Sequence, residues 1–352
     1  MAVKSLFFNP LGILHPKFVI IDRATAFIPS CNTSCECWFE GCVELRGDVV
    51  GKLVDFWADV WGRHGGGHGH KHGDAWTLQE MDCGFEEDLA EHDVQAIDEG
   101  PHDGPTNAPI RSIRLEHDVF LPMATAVLPS TWHICPRFQP IPFLPSFTPP
   151  KTPLNTALLT LFNHADSSIS IITPNITCST VLDALVAALD RGVDVRIRTN
   201  RSTMVVEQVF TAGTTTGWCL SRLRRRYARL LAQRRGSTKA WWWKVLLPPW
   251  RSRRHARTGD VEAGLPEIAK LGALSIQYYT PDPLRTDVVD DEPTATHFKM
   301  TLVDGKYLVL GSGNMDRASW YTSQELGILF YSPTGFADWE RAWEEPLATR
   351  LE

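Results

Sequence analysis

Two histidines stand in the same setting at opposite ends of this chain. His15, Lys17, Asp22, Ser30 and Asn32 recur as His297, Lys299, Asp304, Ser312 and Asn314, at identical offsets of 2, 7, 15 and 17 residues from the histidine. Glu40 and Glu325 follow their histidines by 25 and 28 residues, so the register slips only beyond the asparagine. Residues two apart in an extended segment project from one face. Each histidine therefore points with its lysine from the start of an otherwise apolar strand, Phe18 to Ile21 in one copy and Met300 to Val303 in the other. Each serine and asparagine arrives after a turn, where a second strand ends beside the first. The product is an imidazole, an ammonium, a hydroxyl and an amide around one point, and two such sets across a pseudo-two-fold axis would surround one phosphate. A lone histidine or lysine in a strand is ordinarily structural, whereas a set repeated in register is not. Asp22 and Asp304 differ from the rest, since each closes a strand into a turn and is expected to serve structure through local hydrogen bonds.

The elements that position these groups repeat as well. Gly41 to Leu45 and Leu326 to Tyr331 read as strands with a helix after each. The first helix, Asp48 to Trp61, is expected to be capped by Asp48 and to set Val49, Leu53, Phe56, Trp57 and Val60 on one face. The second begins near Thr334, with Phe336, Trp339 and Trp343 at helical spacing. Upstream of the second motif lies a further α/β unit: a strand at Ser168 to Thr173, a helix at Ser179 to Arg191 ending in an Arg-Gly stop, and strands at Val193 to Thr199 and Leu274 to Tyr279. The pattern predicts an α/β fold of two pseudo-symmetric lobes, each a mixed sheet flanked by helices, with the site between them.

Three divisions of the chain follow. Residues 1–62 hold the C-terminal half of a first repeat, and 152–352 hold the second repeat. Between them, 63–151 reads as insertion and linker: it opens with glycine and histidine, has no lysine or arginine from Asp74 to Ile110, and carries seven prolines from Pro136 to Pro153. Only fourteen residues precede His15, against about 145 between Thr152 and His297. The first repeat is therefore expected to be N-terminally truncated, with Met1 an internal or mis-assigned start, and the chain alone to be poorly stable and weakly active.

The pattern H-x-K-x-x-x-x-D followed by G/P-S-x-N resembles the signature of the phospholipase D superfamily, here as HPKFVIID with PSCN and as HFKMTLVD with GSGN. The second motif, continuing as GSGNMDRASWYTSQELGILF, looks most like lipid-processing and fungal phospholipase D-like members, cardiolipin synthases among them. Two residues depart from the pattern: Pro29 stands where the second copy has Gly311, and Cys31 where it has Gly313. The resemblance implies a phosphodiesterase or phosphatidyltransferase that acts on phospholipids without metal or cofactor, one imidazole attacking phosphorus while the other protonates the departing oxygen; a nuclease or nucleic-acid end-processing phosphodiesterase and a non-catalytic lipid-binding descendant or inactive fragment are the alternatives. It implies His15 as nucleophile and His297 as acid and base, though the near symmetry of the site admits the reverse. Lys17, Lys299, Asn32 and Asn314 are expected to stabilise charge on the phosphoryl oxygens. Ser30 and Ser312 are expected to bind substrate, and Glu40 and Glu325 to hold the histidines in their working tautomers.

Composition narrows the setting. Apolar residues make up 43% of the 352 and charged residues 22%, which excludes disordered and membrane-spanning classes. No secretory signal is legible, so an intracellular protein is expected, cytoplasmic or peripheral to a membrane, with reduced cysteines. The net charge of −6 conceals thirteen lysines and arginines, with no acid, between Ser221 and Arg257. Ser221 to Arg235 reads as a basic amphipathic helix with Leu223, Tyr227, Leu230 and Leu231 on one face, followed by Trp241, Trp242, Trp243 and Trp250. An anionic membrane surface is the expected partner of this segment. Tryptophans stacking on nucleic-acid bases and a plain solvated helix are the alternatives. The cysteines from Cys31 to Cys42 lack the paired spacing of structural zinc sites, and the histidines His64, His68, His70 and His72 sit in a glycine-rich loop of the kind that binds metal adventitiously, so no functional metal site is expected.

Overall fold

The computed structural model describes residues 13–32, 38–62, 123–130, 148–201, 205–246, 271–281 and 293–337, without the side chains of 61–62 and 235–246. The first lobe comprises β1 (Val19–Ile21), β2 (Thr25–Pro29) and β3 (Cys42–Arg46), followed by α1 (Asp48–Trp57) and a π-helical turn at Ala58–Gly62. The second comprises β4 (Ala124–Ser130), α2 (Pro153–His164), β5 (Ser168–Ile172), α3 (Ser179–Arg191), β6 (Asp194–Thr199), α4 (Val205–Ala212), α5 (Thr216–Leu246), β7 (Leu274–Tyr278), β8 (Met300–Val303), β9 (Tyr307–Gly311), α6 (Arg317–Tyr321) and β10 (Glu325–Tyr331). Its sheet runs β4-β10-β9-β8-β5-β6-β7, parallel across β5, β6 and β7 and antiparallel elsewhere. That is the mixed sheet the pattern predicts. The first lobe departs from it: its described sheet, β1-β2-β3, has three strands and is antiparallel throughout.

Alternation along the central strands divides the core in two. Met300, Leu302, Leu308, Leu310, Leu326, Ile328 and Phe330 point to one face, where they meet Ala26 and Ile28 of β2, Leu45 of β3 and Val50, Leu53 and Phe56 of α1. Val303 and Val309 point to the other face, against α2, α3 and α5 through Leu158, Leu185 and Leu220. The first lobe thus forms the cover of the larger sheet's second face. That area is what fixes the two motif copies relative to each other, since burial of apolar surface contributes roughly 25 cal/mol per Å².

Several expected elements are revised. The segment 63–151 contains a full strand, β4, paired along its whole length with β10 from Ser130 and Glu325 to Ala124 and Tyr331. Its Pro129 is compatible with pairing because β4 is an edge strand, where a missing N–H costs no ladder bond. His64, His68, His70, His72 and the acids from Glu80 to Asp103 lie outside the described residues. Asp48 sits in the first turn of α1 and does not cap it; the cap is Gly47, without a side-chain bond. Trp57, expected inside, is 50% exposed, because α1 buries the stripe Val50, Leu53 and Phe56. The basic helix is longer than expected, 31 residues, and the N-terminal part of its apolar face is covered: Leu223 is 1% exposed and packs with Cys219 and Leu220 in the core, while Leu230 and Leu231 are half-buried. Two of its arginines hold it on α3, Arg226 to Asp183 and Arg234 to Asp190.

Candidate active site

The groups of the repeated motif converge where the lobes meet, and a backbone exchange brings them there. Leu14 bridges in parallel to Gln324, and Phe39 bridges in parallel to Thr296. The His15 N–H donates to Gln324 O at 3.0 Å, and the His297 N–H donates to Phe39 O at 3.0 Å. Each histidine is thereby laid beside the residue preceding the glutamate of the other copy. Asn200 reinforces the second junction, accepting from the Thr296 N–H at 2.9 Å and donating to the Thr296 carbonyl at 2.8 Å.

The side chains follow the backbone across. His15 Nδ1 lies 2.9 Å from Glu325 Oε2 and 3.2 Å from Oε1, while His297 Nδ1 lies 2.8 Å from Glu40 Oε1. A carboxylate can only accept here, so each imidazole presents Nδ1–H to it and leaves Nε2 for chemistry. The serines stand behind the glutamates. Ser30 Oγ donates to Glu40 and accepts from the Gly41 N–H, and Ser312 Oγ donates to Glu325 Oε2 at 2.5 Å and accepts from the Leu326 N–H at 3.0 Å. Both hydroxyl protons are thereby committed to the glutamates, and both serines are buried.

Lys17 Nζ donates to its own His15 carbonyl at 3.0 Å, and Lys299 Nζ to its own His297 carbonyl at 2.6 Å. Burial pushes the Lys17 ammonium down to about 8, against the pull of Glu325 and Glu40. Burial with the added repulsion of Lys17 takes Lys299 to about 7. The His297 imidazole is likewise lowered by burial, which Glu40 opposes and the two lysines reinforce. Burial would raise Glu325, but His15 and the Ser312 hydroxyl outweigh it and hold the carboxyl below its usual range. An anion arriving beside the lysines would favour their protonated forms and relieve their repulsion.

Asn314 Nδ2 donates to Asp316 Oδ2 at 3.1 Å, and Asp316 also caps α6 by accepting from the Ser319 N–H at 2.8 Å. Asn32 is exposed. Gly311 has a steric reason: a Cβ there would meet the Leu326 carbonyl oxygen at 2.2 Å. Pro29, at the equivalent place, ends β2 paired with Cys42, so the first turn keeps its serine in position by a different route. Asp304 is structural but not local, since its carboxylate accepts from the N–H groups of Asp166, Ser167 and Ser168 at the start of β5. Asp22 is exposed at a turn with φ of 51°.

Sequence reasoning did not single out Asp316, Asn200 or Trp38. Asp316 carried a legible signal, a capping residue three before Ser319, whereas Asn200 acts through a partner 96 residues away and carried none. Trp38 lies against His297, ring centroids 4.7 Å apart. Among the described residues no cluster of histidine, cysteine or carboxylate is arranged to hold a metal ion, and no helix is long and apolar enough to cross a membrane.

A family model described as cardiolipin synthase, PLD-like domain, matches residues 158–345, which include the second motif and not the first. No curated protein matches the chain. Among solved structures it is similar to a phospholipase D family member, Nuc from Salmonella typhimurium, at 14% identity over 65% of this chain and 94% of that one, TM-score 0.35. It is similar also to phosphatidylserine synthase from Haemophilus influenzae Rd KW20, at 13% identity over 97% of this chain and 63% of that one, TM-score 0.49. NucT from Helicobacter pylori aligns at 10% identity over 65% of this chain and 99% of its own, TM-score 0.37.

Proposed function

Since the chain belongs to the family of cardiolipin synthase, PLD-like domains, we propose that it is a phosphodiesterase or phosphatidyltransferase that acts on phospholipids through a phosphohistidine. The observation that carries this reading is the crossed pairing of His15 with Glu325 and His297 with Glu40, with the half-buried Lys17 and the buried Lys299 bonded to the carbonyls of the two histidines. A purely structural pair of imidazoles has no use for a carboxylate on each Nδ1 and a free Nε2 on each ring. In the proposed cycle one neutral imidazole attacks phosphorus and the opposite imidazolium protonates the departing alcohol. Lys17 and Lys299, with Asn32 and Asn314, stabilise the phosphoryl oxygens, each such donor contributing about 2.7 to 4 kcal/mol to lowering the barrier. The histidine that gave its proton then takes one from water or an acceptor alcohol, which displaces the phosphohistidine. Hydrolysis and transfer differ only in that acceptor, and no metal is required by this scheme.

Lipid is the preferred substrate because of the basic segment. The outward arginines of α5, Arg222, Arg224, Arg225 and Arg229, are exposed and suit an anionic headgroup layer, to which each adds about 1 kcal/mol. With Leu223 of α5 spent on the core, membrane affinity falls chiefly to these arginines and to Trp241, Trp242 and Trp243, whose side chains lie outside the described residues. Replacing the three tryptophans with serine should release the protein from anionic vesicles while sparing cleavage of a soluble diester; unchanged vesicle binding would contradict the assignment. The same arginines would serve a polynucleotide backbone, which makes a nuclease the second reading. A panel of phosphatidylcholine, phosphatidylglycerol and single-stranded DNA decides between them: turnover of a phospholipid supports the proposal, and turnover of DNA alone overturns its lipid part.

A further inference from the structure

The two histidines share a reaction but not an environment. His297 is the more enclosed, its side chain 7% exposed against 15% for His15. The indole of Trp38, two residues before Glu40, covers it. The equivalent place in the second copy, two before Glu325, holds Ser323, so His15 has no such cover from that position. The charges differ in the same sense. Among the described residues, His297 is acted on by Glu40, which is also engaged by Ser30, and by the ammoniums of Lys299 and Lys17, the latter bonded to the His15 carbonyl as well. His15 meets both oxygens of the fully buried Glu325. Two further carboxylates lie within its electrostatic reach, Asp316 beside α6 and Glu207 of α4. Nineteen residues after His15, where the second copy has Asp316, the first has Ser34. Burial, reinforced by the neighbouring ammoniums, favours a neutral His297 imidazole.

We infer that His297 is the nucleophile and His15 the proton donor, the reverse of the order that the family resemblance implies. This assignment rests on the phosphohistidine reading and divides its roles. The Nε2 lone pair of neutral His297 forms the N–P bond as the P–O bond to the leaving alcohol breaks, and the proton on His15 Nε2 passes to that oxygen. His15, now neutral, takes a proton from the incoming water or alcohol, whose oxygen bonds to phosphorus as the N–P bond breaks, and both histidines return to their starting states. Throughout, Glu40 retains the His297 Nδ1–H, which keeps Nε2 nucleophilic. The greater exposure of His15 suits the partner that must meet leaving group and acceptor in turn. Trp38 is a positioning residue, fixing the plane of the attacking ring.

The test uses bis(4-nitrophenyl) phosphate, whose leaving group departs without needing a proton. Alkaline quench of the wild-type chain in its first turnover, followed by mass spectrometry of the peptides, should find the phosphoryl adduct on His297. In the variants, His15→Gln should release a burst of about one equivalent of nitrophenolate and then stall, while His297→Gln should show no burst. An adduct on His15, or a burst from His297→Gln, would overturn this assignment and leave the phosphohistidine mechanism standing. Turnover by the wild type with no adduct on either histidine would overturn that mechanism and the assignment together. The wild-type mapping decides the matter even where a variant does not fold.

Discussion

The strand that carries each motif is built very differently in the two copies. β8 lies between β5 and β9, and all four of its residues are buried. β1 pairs with β2 alone among the described residues and leaves Val19 53% and Ile21 49% exposed. The motif side chains nevertheless correspond in kind, histidine for histidine and lysine for lysine. What holds the first set in place is the second lobe: Gln324 fixes the His15 backbone, Glu325 fixes its ring, and β8, β9 and β10 supply the apolar face beneath β2 and α1. The two sites of the duplication have become one site that neither copy completes alone.

The comparison breaks most sharply at the histidines. On the proposed mechanism His15→Ala and His297→Ala should each lower turnover of a soluble diester about 10³-fold or more, since each removes a proton-transfer or covalent step. Near-full activity from either variant would dissolve the partnership between the copies.

The lysines give the next effect, about 10² to 10³ in kcat for Lys299→Met, and they have a signature in pH. The folded pKa of Lys299 lies near 7 and its ordinary value at 10.5, so between those limits the unfolded chain binds more protons than the folded one. That group therefore makes folding more favourable as pH rises from about 7 to about 10.5. The stability of the wild type relative to Lys299→Met should climb over that window, as denaturant titration at several pH values would show. For Lys17, held near 8, the corresponding climb against Lys17→Met should begin a unit higher. A flat difference for both would mean that neither ammonium is buried at neutral pH.

The motif aspartates sharpen the contrast in stability. Asp304→Asn should cost about 2 kcal/mol, because the carboxylate gathers three backbone N–H groups at the start of β5. The exposed Asp22 should tolerate the same change within about 0.5 kcal/mol. Thermal unfolding that showed equal losses would place the two turns in equivalent surroundings. Smallest is the neighbouring position: Arg23 has φ of 56° where the second copy has Gly305 at 67°, so Arg23→Gly should stabilise by up to about 1 kcal/mol.

Much of this was legible in the residues. The strands at 168, 194, 274 and 300, α3 with its stop, and the repeated set of catalytic types all follow from period and spacing, because local pattern specifies them. β4 was hidden by its neighbours in sequence, a short apolar run inside a proline-rich, acidic segment, and it became a strand only by pairing with β10, some two hundred residues away. The crossed pairing was equally out of reach. Spacing places Glu40 after His15 and Glu325 after His297, and nothing local says that each carboxylate turns to the other histidine. The bonds of the serine hydroxyls to those glutamates were out of reach for the same reason.

The crossed pairing is the claim on which the single composite site depends, and nuclear magnetic resonance of the histidine side chains tests it directly. Each Nδ1–H donated to a carboxylate gives a far-downfield proton signal, assignable by loss in the corresponding histidine variant. Glu325→Gln should move the His15 signal and leave that of His297, while Glu40→Gln should do the opposite. If each glutamate instead moves the histidine of its own copy, the two motifs form separate sites and the account is wrong.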